Sequence, residues 1–97
     1  MNMQQMIQAA QKAQRMYSKE HEVLEQTDFE GVANGALKVV LKGNCTLVNI
    51  EIIDKDLLQD EESLVELIKL AYQKCIDQIS DAEDKLQKKY QSNTGLF

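Results

Sequence analysis

Six cationic side chains stand near the two ends of the chain: Lys12, Arg15 and Lys19 toward the start, Lys85, Lys88 and Lys89 toward the finish. Their chemistry is that of fixed positive charge, which attracts phosphate and carboxylate. Gln4, Gln5, Gln8, Gln11 and Gln14 surround the first trio, and Gln87 and Gln91 flank the second. These uncharged amides can hydrogen-bond to phosphate or sugar. Other reactive types are sparse. Cys45 and Cys75 form no C-x-x-C pair, and His21 cannot complete a metal set with them by local spacing. Both cysteines read as reduced thiols that behave as small apolar residues. His21 has Glu20 and Glu22 beside it but no evident nucleophile. The acidic run Asp54, Asp56, Asp60, Glu61 and Glu62 lacks the Asp-x-Asp-x-Asp-Gly loop that positions calcium ligands, and reads as a solvated, capping connection. No phosphate-cradling glycine loop, dinucleotide fingerprint, G-x-S-x-G or H-E-x-x-H occurs. The sequence predicts no enzyme, no metal, no cofactor and no small-molecule substrate.

The chain of 97 residues carries 11 Lys plus Arg and 16 Asp plus Glu, for a formal net charge of -5. Two separate cores would each be too small for unaided folding, so residues 1–97 read as one domain. The acidic total argues against a simple basic coat for nucleic acid. Hydrophobic residues make up 43% of the chain, too many for a disordered acidic segment. Apolar runs such as Leu67-Ile68 span only a few residues, which predicts no transmembrane helix. The opening Met-Asn-Met-Gln-Gln-Met carries neither the charged lead nor the apolar stretch of a secretory signal. A cytoplasmic protein is the expectation. The net charge conceals a segregation: residues 1–19 and 85–97 each carry +3, while residues 20–34 and 54–66 each carry -5.

Periodicity supplies the elements that must hold these charges. Met3, Ile7, Ala10, Tyr17 and Leu24 recur at helical spacing, which predicts a first helix over 3–26. The period then changes to two. Strands are expected at about 29–33, 36–42 and 46–53, with Asn34-Gly35 as a hairpin signal and Gly43-Asn44 as a second break. Leu37, Val39 and Leu41, then Val48, Ile50 and Ile52, give one apolar face; Val40, Leu47 and Ile53 make the other face apolar in patches. Asp60 is placed to cap a last helix over about 60–91, with a stripe of Leu64, Ile68, Ala71, Cys75, Ile79, Ala82, Leu86 and Tyr90. The fold class is α+β, an α-β-β-β-α protomer around a three-stranded antiparallel meander. A helix of about thirty residues is roughly 45 Å long, about twice the length of such strands, so both helices must overhang the sheet. One thin sheet cannot bury both of its faces and two long helices, and self-association follows.

The first helix enters the sheet at its C-terminal end and the last leaves it from its N-terminal end. Packed side by side, they bring the six cations to one tip. Two readings of that tip stand together here: a phosphate-binding surface, or an ordinary solvated face with lysines complementing a helix dipole.

Several stretches carry a family likeness. Leu-Lys-Val-Val-Leu-Lys-Gly-Asn (37–44), Val-Asn-Ile-Glu-Ile (48–52), Leu-Val-Glu-Leu-Ile-x-x-Ala-Tyr-x-x-Cys (64–75) and the Gln- and Met-rich opening over 3–14 resemble the YbaB/EbfC family of nucleoid-associated DNA-binding proteins. The resemblance spans residues 3 to about 90 and rests on patterns of apolar and small residues. It implies a tweezer-like homodimer with projecting helices, located in the nucleoid. It also implies duplex DNA as partner, bound with little sequence preference, with Lys12, Arg15, Lys19, Lys85, Lys88 and Lys89 as the DNA-facing cations. The alternative is an acidic dimeric adaptor whose projecting helices hold a protein partner.

Overall fold

The computed structural model describes residues 2–94. The first helix, α1, runs Met3–Gln26. Its start is capped by Asn2, whose side chain accepts the Gln5 amide proton at 2.8 Å. At its end Thr27 turns back: its amide donates to the Leu24 carbonyl and its hydroxyl to the Val23 carbonyl. Three strands follow, β1 (Asp28–Ala33), β2 (Leu37–Lys42) and β3 (Leu47–Ile52), then a 3₁₀ turn over Lys55–Gln59 and the long helix α2 (Glu61–Thr94). The strands pair antiparallel in the order β1-β2-β3. Asn34 and Gly35 both take positive φ, 53° and 66°, as a tight hairpin turn requires, and the Ala36 amide closes it onto the Ala33 carbonyl. Asp60 caps α2 as its position implied, its carboxylate accepting from both the amide and the hydroxyl of Ser63. Among the described residues no helix is long and apolar enough to cross a membrane.

The core lies between α2 and the first two strands. Ala33, Leu37, Val39, Leu41, Leu57, Ala71, Cys75 and Ile79 are its buried members. Two glycines allow the helices to come this close. A Cβ on Gly31 would run into the Ala71 carbonyl of α2, and one on Gly43 would run into the Leu24 carbonyl of α1. Cys75, fully buried, donates its thiol toward the Val39 carbonyl at 3.2 Å. Burial pushes that thiol above its ordinary range.

The third strand departs from the expected alternation. Val39 faces Ile50 and Val40 faces Asn49, but the register then shifts so that Leu41 faces Leu47. This bulge carries Leu47, rather than Val48, onto the core side of the sheet. The helix does not cover that side of β3. It packs on β1 and β2 and leaves Leu47 and Ile50 exposed there, with Leu47 54% accessible. The uncovered strip is an apolar groove lined by Val39, Leu41, Leu47, Ile50, Ile68 and Tyr72. On the opposite face Val40 is buried while Ile53 is exposed.

Both helices overhang the sheet. The molecule measures 68 × 18 × 15 Å with a radius of gyration of 19.1 Å. A compact chain of about 100 residues would have a radius near 13 Å.

Candidate nucleic-acid interface

Beyond the sheet, α1 and α2 run antiparallel and meet through aromatic residues. Tyr17 stacks on His21 within α1 at 5.8 Å between ring centroids and meets the ring of Tyr90 edge-on at 5.7 Å. Tyr90 is buried despite lying far from the sheet, and Ala13 is the buried residue of α1. The helices are therefore held along an aromatic seam. The free start of one and the free end of the other share one end of the molecule, as the direction of the two helices requires.

Lys12, Arg15 and Lys19 are spaced three and four apart, which puts them on one face of α1. All three are exposed and line a shallow open surface with Gln11, Gln14, Ser18 and Glu22. Among the described residues none of Lys12, Arg15, Lys19 and Lys85 has an ion-pair partner. The other two cations are engaged. Lys88 pairs with Asp84 one turn back at 3.0 Å, and Lys89 reaches across to Glu20 of α1 at 2.8 Å. The second oxygen of Glu20 accepts the Tyr90 hydroxyl proton at 2.9 Å. These two hydrogen bonds hold the Glu20 carboxyl below the usual carboxylate range, Lys89 contributing most, and Glu20 in turn raises Lys89. Burial first, and Glu20 second, push the Tyr90 phenol up.

Sequence reasoning did not identify Glu20, Tyr17 and Tyr90 as a unit. The apolar stripe of the last helix did end on Tyr90, but Glu20 and Lys89 lie 69 positions apart and no local spacing links them. His21 joins the same neighbourhood, its Nδ1 3.0 Å from Glu25.

Some of the remaining charges have local partners. Lys38 of β2 sits between Glu30 at 3.6 Å and Glu51 at 3.4 Å on the neighbouring strands. In the acidic connection Asp54 accepts the Asp56 amide proton and Asp60 caps α2, so two of its carboxylates serve backbone ends. Among the described residues no three His, Cys, Asp or Glu side chains converge as a metal site would require.

Comparison with known proteins agrees with this architecture. A nucleoid-associated protein of Malacoplasma penetrans is 32% identical over 90 residues, covering 91% of this chain and 95% of the relative. One from Hyphomonas neptunium is 35% identical over 91 residues, covering 89% of this chain and 84% of the relative. Among solved structures, an uncharacterized protein of Helicobacter pylori superposes with a TM-score of 0.74 at 20% identity. That match covers 92% of this chain and 96% of the other, and it establishes the shared α-β-β-β-α fold. The YbaB/EbfC DNA-binding family matches residues 1–95. With the helices, the meander and the relatives in agreement along nearly its whole length, the chain belongs to the YbaB/EbfC DNA-binding family.

Proposed function

We propose that this protein is a non-catalytic, nucleoid-associated homodimer that grips duplex DNA through its phosphates, with little sequence preference. The observation that carries the reading is the exposed face of Lys12, Arg15 and Lys19 on a projecting helix, whose charges are not consumed inside the protomer. Lys85, about one turn before Lys89 on α2 and so nearer the sheet than the α1 trio, is a further exposed cation, while Lys88 and Lys89 already have internal partners. Long helices carrying Lys, Arg and Gln suit a backbone track. They lack the short recognition helix that a helix-turn-helix inserts into the major groove. Family membership and the names of both relatives support DNA as the partner.

The second copy supplies the cover that β3 lacks. An unpaired strand edge beside an apolar groove of Leu47, Ile50, Ile68 and Tyr72 is a surface that soluble proteins seldom leave to water. A symmetric pair closing over it would direct the cationic ends outward as two arms.

The test is charge removal. Lys12→Gln, Arg15→Gln and Lys19→Gln together are expected to weaken binding to all duplex sequences alike. The slope of log affinity against log salt should flatten by about 0.9 for each phosphate that is no longer neutralised. Helix content and sedimentation should not change. Lys38→Gln, removing a cation held between two acids, should matter less. A triple variant that binds duplex as tightly as the parent would overturn the reading.

A further inference from the structure

The cationic end contains one carboxylate that crosses from helix to helix. Glu20 accepts from Lys89 Nζ through one oxygen at 2.8 Å and from the Tyr90 hydroxyl through the other at 2.9 Å. Tyr90 is only 4% exposed and is braced edge-on by Tyr17, so the Glu20 carboxylate is aimed by a buried phenol. Lys89 lies over the Tyr90 ring, 5.5 Å from its centroid, and its side chain remains 53% exposed. A cation placed at the helix tip is thus present but neutralised. Ion pairs as open to water as this one contribute little to stability, so exchanging one anion for another at Lys89 costs little. A phosphate offers Lys89 the same chemistry as Glu20: an anionic oxygen at hydrogen-bond distance.

We propose that Glu20 is an internal competitor for the phosphate at Lys89 and so sets how tightly the protein holds DNA. The inference rests on the DNA-binding reading above. In the free protein Glu20 occupies Lys89. On the duplex a phosphate oxygen displaces it, and Glu20 retains its bond from the Tyr90 hydroxyl. The exchange forms one charge-assisted hydrogen bond and breaks another, so the sixth cation adds little affinity as the chain stands. Lys12, Arg15 and Lys19, which face no such competitor, carry the grip.

Glu20→Gln tests this, because glutamine keeps the length and an oxygen to accept from Tyr90 while removing the charge. Duplex of mixed sequence is titrated at about 50 and about 200 mM salt, a range over which phosphate contacts dominate the change in affinity. Glu20→Gln is expected to bind several-fold tighter than the parent at the lower salt, with a salt slope steeper by up to about 0.9 per protomer. Adding Lys89→Gln should abolish that gain. Lys89→Gln alone should cost less affinity than Lys19→Gln. This last comparison also serves if Glu20→Gln fails to fold, which circular dichroism and sedimentation would reveal. A folded Glu20→Gln that binds no better than a parent that binds DNA overturns the inference alone, as does an equal loss from Lys89→Gln and Lys19→Gln. If neither the parent nor Glu20→Gln binds duplex, both readings fall.

Discussion

At Gly31 the absence of a side chain decides how near a helix lies to a strand. A Cβ there would collide with the backbone carbonyl of Ala71 and press on the sulfur of Cys75, and neither can move without shifting α2. Gly31→Ala is therefore expected to destabilise the protein by about 1–3 kcal/mol or more, the scale of overpacking in a dense core. Urea unfolding would measure it, and a midpoint unchanged from the parent would show that α2 slides freely on β1. Cys75 belongs to the same contact. Its place on the apolar stripe and its burial agree, and its thiol donates to strand carbonyls where an alanine would leave space. These residues show what sequence can give at this scale. The apolar character of Cys75 was readable from its spacing. The need for glycine at 31 was not, because it arises from α2, forty residues further along the chain.

Among the elements, the two helices differ in what holds them. α2 contributes Ala71, Cys75 and Ile79 to the core, whereas α1 buries only Ala13 and leaves Met3, Met6 and Ile7 in solvent. Leu41→Ala, which empties a fully buried position on β2, should cost roughly 2–5 kcal/mol. Gln8→Ala, on the overhanging part of α1, should leave thermal unfolding almost unchanged. Equal losses at both sites would mean that the overhang is part of the cooperative core. The helix spans and the meander were legible in the sequence because strong apolar periods and the Asn34-Gly35 turn mark them. The facing of β3 was not legible. Strict alternation assigns Val48 to the core side, and the bulge opposite Val40 and Leu41 substitutes Leu47. A one-residue slip leaves no trace in a strand where Leu47, Val48, Ile50 and Ile52 are all apolar. The candidate site was half legible: the cations by type and position, but the pairing of Lys89 with Glu20 only once α1 lay against α2.

For the whole molecule, shape and charge run along the same axis. A protomer 68 Å long with an uncovered strand edge should associate through that edge. Leu47→Asp with Ile50→Asp places charge in the apolar groove but at positions exposed in the protomer. Sedimentation should then fall to a folded 11.1 kDa species while helix content is kept. If the parent itself sediments as that species at micromolar concentration, the dimer is wrong. The same axis has an electrical consequence. Glu61 and Lys89 are 28 residues apart on one helix, about 42 Å at the α-helical rise, with acids gathered at the first end and cations at the other. On the DNA-binding reading, each arm of the proposed pair carries its cations away from the sheet, and the field of a polyanion attracts that arm before contact. On the same reading, the acids of residues 54–66 stay with the sheet at the body of the pair, so like charge keeps that body off the duplex and leaves contact to the arms.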